Sequence, residues 1–250
     1  MKSNKIVILG SKPNAKIPKG DIYYCANSAA SFYNSKIDKN SKIVTLVAAS
    51  EIIKSRRKSK EKDKWLAEKY NRIVNTHSNK IILVGNEFFP EALPRIKRNY
   101  KNKVEQLKFS DLNEILKKLV NKRFPVLTIK HLYPIGLNSI KNLVKFLIEK
   151  YYIISKKNKL SSGLFRPSTG ILSLAYAISK HGYDSEYYVA GIGLNNRELY
   201  PDGFNNTWTP KKNLNSYHIH ADEKISKLLL KKYKIHFDDD SFDSIKKNAS

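Results

Sequence analysis

With a single cysteine in 250 residues, Cys25, the chain can form no internal disulfide and no cysteine-rich metal site. Long apolar runs are missing too. The longest nearly apolar stretch, ILSLAYAI at 171–178, falls well short of the ~20 residues that cross a bilayer. The opening MKSNKIVILG starts basic but has only four consecutive apolar residues, too few for a signal peptide, and reads as a first strand. The cytoplasm is therefore the expected compartment. Acidic residues are scarce as well: 22 Asp and Glu stand against 47 Lys and Arg, a formal net charge of +25. A charge of that size suits nucleic acid, an anionic lipid surface or an acidic ligand. No RNA-binding aromatic motif, zinc finger or Arg-rich segment is present, which turns the expectation from nucleic acid toward a membrane surface or an anionic glycan. The lysines are nonetheless spread along the whole chain, and Lys, Asn and Ile are all frequent, a pattern that an AT-rich genome also produces.

What is present is enough for a core. A hydrophobic fraction of 41%, with 15 Tyr and 10 Phe, fits one large α/β domain. Short β-branched runs alternate with helical patterns, the signature of such a sheet. Strands are expected at Lys5–Leu9, Ile22–Cys25, Lys42–Val47, Lys80–Val84, Pro125–Ile129, Glu186–Ala190 and Lys234–Phe237. Helices are expected around Asp63–Tyr70, Glu91–Arg98, Asp111–Lys122, Ile140–Tyr152, Thr169–His181 and Asp222–Lys232. The helix after Pro167 is apolar almost all round and should lie at the centre of the molecule. The Lys-rich stretches 50–79 and 97–107 read as solvated surface or a lid.

Four segments carry candidate chemistry. In VILGSKPNA, Gly10 permits a tight turn and close backbone approach, Ser11 and the following amides suit an anion, and Lys12 adds a charge. It is neither a Walker motif nor a dinucleotide fingerprint, and alone it reads as an ordinary strand-ending turn. In RPSTG, the free amides of a helix start suit an anion, Gly170 leaves the place unobstructed and Arg166 offers a forked donor, the plainer alternative being an ordinary capped, buried helix. In YYVAGIGLNNRELY, a buried strand ends at Gly191 and Gly193 before a polar loop holding Asn195 and Tyr200, either a ligand crevice or a plain connection. In YHIHADEK, His218 and His220 lack the partners of a zinc site, and one histidine suits a general base better, although alone the segment reads as ordinary surface histidine. The acidic run Asp238–Asp240 reads as a solvated tail.

Taken in order, these segments resemble the bacterial CMP-sialic acid sialyltransferases of the family that modifies lipooligosaccharide, or a related CMP-Kdo or nonulosonate transferase. The features are the Gly-x-x-Pro turn of ILGSKPNA, the strand YYCAN ending in Asn27, the helix start FRPSTGILSLAYAIS with its following Gly182-Tyr183, the VAGIGL turn, and a His before a helix and Tyr-Lys-Ile strand in HIHADEKISKLLLKKYKIHF. The likeness is strong in 6–27, 166–194 and 218–237. It implies a Rossmann-like, GT-A-like single domain over 1–240, a mostly parallel sheet flanked by helices, a small lid within 195–217, and a tail at 241–250. It further implies an inverting transfer of an acidic sugar from a CMP-activated donor to a glycan or glycolipid hydroxyl, with no metal and no cofactor, at an anionic membrane surface. Gly10, Ser11, Lys12, Pro13, Asn14 and Asn27 would then contact the nucleotide, and Gly191 would flank the cytidine. Ser168, Thr169 and Gly170, with Arg166 nearby, would hold the donor carboxylate or phosphate. His220 would be the base, and Tyr200 and Asn195 would face the departing phosphate. Three departures stand out: VAAS at 47–50 where the family has an Asn, Asn195 in place of a tyrosine, and a shorter loop after His220 that leaves His218 as a rival base.

Overall fold

The computed structural model describes residues 4–12, 15–38, 40–53, 60–85, 89–100, 103–133, 135–154, 165–194 and 218–247. One seven-stranded sheet runs through it: β1 Lys5–Leu9, β2 Ile22–Ala26, β3 Lys42–Ala48, β4 Lys80–Val84, β5 Lys103–Leu107, β6 Glu186–Ala190 and β7 Ile235–Phe237. The order is β5-β4-β3-β2-β1-β6-β7, and every neighbouring pair is parallel. The helices are α1 Ala29–Phe32, α2 Lys60–Val74, α3 Phe89–Asn99, α4 Phe109–Val120, α5 Leu137–Ile154, α6 Thr169–His181, α7 Ile219–Leu230 and α8 Asp243–Lys247.

Side chains alternate across β1 and so feed two layers. Ile6 and Ile8 join the core formed with α4, α6 and α7. Val7 and Leu9 join the opposite layer under α1, and α2 and α3 cover the β3–β4 end of that same face. A strand buried on both sides reads as a continuous apolar run, as KIVIL does. Helix α6 is central as expected, with every residue from Gly170 to Ile178 buried. The molecule is thus an α/β protein with a Rossmann-like, wholly parallel sheet flanked by helices.

Three expectations are corrected. The charged stretch 97–107 contains β5, which forms the sheet edge: only Leu107 in it is buried, and Glu105 pairs with Lys80 and Lys103. Such an edge needs no apolar alternation. Pro125–Ile129 is not a strand. Phe124 and Val126 are buried as plugs of the core, the Val126 N–H bonds to the Phe165 carbonyl at 2.6 Å, and β5 already occupies the place beside β4.

The third concerns the acidic run, of which only Asp240 is exposed. Asp238 and Asp239 fold back onto the sheet ends, and Phe242 behind them is fully buried with its ring stacked on Phe237 at 3.9 Å between centroids. Phe242→Ala should therefore cost about 3–5 kcal/mol in urea unfolding. A loss below ~1 kcal/mol would match an exposed surface residue instead.

Candidate active site

In the strand order the direction of winding reverses between β1 and β6. In open parallel sheets the crevice outside the carboxyl ends at such a reversal is where ligands bind. The two turns that leave these ends are locked together. Gly10 donates to the Ala190 carbonyl at 2.8 Å, and Lys12 donates to the Gly191 carbonyl at 2.9 Å. A Cβ on Gly10 would stand 2.2 Å from the Gly191 oxygen, and Gly191, at φ +68°, would press one to 2.6 Å from the Gly10 oxygen. These two positions require glycine because the turns touch each other. Gly170 faces Ile192, whose side chain would lie 2.6 Å from an added Cβ. The open space expected beside this glycine is thus filled by protein.

The acidic run after β7 fastens the same turns. Asp238 accepts from the N–H groups of Lys16 at 3.2 Å and Gly191 at 3.4 Å. Asp239 pairs with the Lys12 ammonium and accepts from the Ser241 N–H at 2.9 Å. Ser241 in turn accepts from the Leu194 N–H at 2.8 Å. The charge that Lys12 was expected to lend a bound anion is therefore neutralised by Asp239. Ser11, partly buried, lies between Gly10 and Lys12.

Asn27 ends β2 in the left-handed region at φ 52°, with its side-chain carbonyl accepting from the Ala48 N–H at 3.1 Å. It ties the ends of β2 and β3. The next residue, Ser28, is 2% exposed, and its hydroxyl has no hydrogen-bond partner among the described residues. The sequence offered a signal for it, a hydroxyl directly after the strand-ending Asn.

The RPSTG segment and the start of α7 form one joint. Ser168 caps α6, its hydroxyl accepting from the Ile171 N–H at 3.4 Å. The Ser168 N–H donates to Asp222 at 2.7 Å, and the His218 Nδ1–H donates to the Arg166 carbonyl at 2.9 Å. His220 sits between these two anchors. The first-turn amides of Thr169 and Gly170 have no intrahelical acceptor, as at every helix start. Arg166 is less available than expected: burial lowers its pKa, the charges of Glu149 and Glu51 act on it, and its guanidinium lies 5.7 Å from the Phe109 ring centre.

His220 is partly buried, and its Nδ1 is enclosed without a hydrogen-bond partner among the described residues. Burial lowers its pKa below the ordinary 6.5, outweighing Glu223, so the ring is neutral at pH 7. Its ring meets His131 edge-on at 5.0 Å, and His131 Nδ1 accepts from the Thr128 N–H at 3.0 Å. Asp222 is fully buried and its pKa rises to about 7 through desolvation. Neither His131 nor Asp222 was anticipated. A lone His in an apolar stretch carries no pattern, and an acid in a first helical turn normally reads as a solvated partner of the helix dipole.

Pro13, Asn14, Asn195 and Tyr200, with the whole lid segment 195–217, lie outside the described residues. Among the described residues no cluster of three His, Cys, Asp or Glu is placed to hold a metal ion.

Fold and site together define an α/β protein in which two glycine turns and a capped helix start meet at the switch point of the sheet, with the start of α7 and its histidines bonded to that helix start. No family model, curated protein or solved structure matches the chain.

Proposed function

We propose that this protein is an inverting glycosyltransferase that moves an acidic sugar, sialic acid or Kdo or similar, from a CMP-activated donor to a hydroxyl of a surface glycan or glycolipid. The observation that carries the reading is the joint between α6 and α7. It ties a helix start with free first-turn amides to the segment that carries a neutral histidine, through the Ser168–Asp222 and His218–Arg166 bonds.

In this reading the donor lies across the crevice, with its nucleotide against the turns at Gly10 and Gly191 and its phosphate or carboxylate at the α6 amides. His220 takes the proton of the acceptor hydroxyl as that oxygen bonds to the anomeric carbon. The bond from that carbon to the phosphate oxygen breaks, and CMP departs from the opposite face, which inverts the centre. The negative charge gathering on the phosphate is met by the Thr169 and Gly170 amides, and the resemblance assigns Tyr200 to the same phosphate. Preorganised donors of this kind stabilise a leaving phosphate without reorganisation. That no metal takes part follows from the family resemblance.

The transfer itself is tested by incubating the protein with CMP-sialic acid or CMP-Kdo and a lipooligosaccharide acceptor, then reading product linkage by NMR. The expected product has the anomeric configuration opposite to the donor. Retention of configuration would contradict a single displacement with His220 as base.

A further inference from the structure

We propose that α5 is an interfacial helix that seats this protein on an anionic lipid surface. One face of α5 is spent on the protein. Asn142 donates to the His131 carbonyl at 2.9 Å, the Phe146 ring meets Phe165 at 5.5 Å, and Glu149 is buried. The opposite face is apolar and bare. Ile140, Leu143, Val144, Leu147, Ile148 and Tyr151 are each between 41% and 61% exposed. Their spacing gathers them into one stripe, an arc of roughly 140° on a helix of 3.6 residues per turn. Just before the helix, Ile129, Tyr133 and Ile135 are between 78% and 92% exposed and continue the apolar character. An uninterrupted apolar stripe of this size on a soluble face marks an interaction site.

The charges around the stripe select its occupant. Lys141 and Lys145 border one edge and Lys150 the other, all exposed. Glu149 is the sole acid in 125–154, and it points inward. A second copy of α5 laid on the stripe would therefore set lysine against lysine with no exposed acid to offset them. An anionic bilayer meets both features: the stripe enters the headgroup boundary while the lysine stems reach the lipid phosphates. The net charge of +25 draws the whole molecule to the same surface. No helix among the described residues is long and apolar enough to cross a membrane, so α5 lies on the surface and does not span it. Because His131 links the inward face of α5 to His220, docking would bring the crevice to the surface where a lipid-linked acceptor resides. Only this last consequence rests on the transferase reading.

The test is co-sedimentation of the full chain with vesicles of phosphatidylcholine alone, or with about one quarter phosphatidylglycerol, in low salt and without nucleotide. The chain is expected to bind the anionic vesicles and to leave the neutral ones largely unbound. The double variant Leu147→Gln/Ile148→Gln should weaken that binding at least ~tenfold. Its melting temperature should be unchanged, because both side chains already face solvent. Lys141→Gln/Lys145→Gln should weaken binding to the anionic vesicles only. Equal binding to both vesicle types, or unaltered binding by the apolar variant, overturns the proposal. So does a parent that sediments as a dimer, ignores vesicles and becomes monomeric in the apolar variant, since the occupant is then a second copy. The assay contains no donor, so failure of the transfer reaction leaves its outcome untouched.

Discussion

His220→Ala should lower turnover by roughly two to four orders of magnitude while CMP binding stays at the parent level. Burial lowers the His220 pKa below 6.5, so at neutral pH the ring holds no second proton and is ready to accept one. The acid limb of the parent's rate profile should accordingly fall below pH 6.5 and vanish in the variant. His218 supplies the contrast. Its Nδ1–H is engaged with the Arg166 carbonyl, which makes it a strut between α7 and the approach to α6. His218→Ala should cost about 1 kcal/mol of stability and change the rate far less. A His220 variant with the parent's rate, beside a His218 variant that has lost it, would transfer the role of base to His218.

Asp222→Asn should become progressively more stable than the parent as pH rises from 5 to 8. Asp222 has its folded pKa raised from an ordinary 3.8 to about 7, because a charged carboxylate at that buried site is costly. A raised pKa means that the folded state holds the proton more tightly than the unfolded chain. The resulting stabilisation is complete below about pH 4 and is lost as pH climbs through about 7. The gap between the two titration points corresponds to about 4 kcal/mol over the full range, of which about 2–3 kcal/mol falls between pH 5 and 8. Asparagine keeps an oxygen to accept the Ser168 N–H and removes the titration. Urea unfolding of both proteins across this range measures the difference directly. A constant offset at every pH would show that Asp222 titrates normally and that its burial is relieved some other way.

What was legible in the sequence follows from where the physics is local. β1, β4 and β6 are read at their observed bounds because each, after a charged first residue, is an unbroken run of apolar or aromatic residues that is wholly or largely buried. Helix α6 is read at its bounds because a proline, a hydroxyl cap and Gly182 mark its ends. β5 was hidden because an edge strand tolerates Lys103 and Glu105, which compensate each other in pairs. The apolar run at Pro125 misled because a core plug and a strand have the same composition.

For the site, the turns singled out in the sequence are ones that the fold brings into contact. Gly10, Gly191 and the α6 start do meet at the switch point. Lys12 and Arg166 looked available only because their acidic neighbours, Asp239 for one and Glu149 and Glu51 for the other, are distant in sequence. Asp222, buried beneath the α6 cap, was invisible for the same reason: what it touches, Ser168, lies 54 positions away.

Thermal stabilisation of the purified protein by CMP, UMP, GMP and AMP in moderate salt decides whether the switch point of the sheet recognises CMP. At about a hundred times the dissociation constant, CMP should add about 2.7 kcal/mol of stability, a rise of several degrees. That rise is expected for CMP and not for the other three. Equal shifts with all four would reduce the crevice to a general phosphate site, and no shift with any would contradict the account.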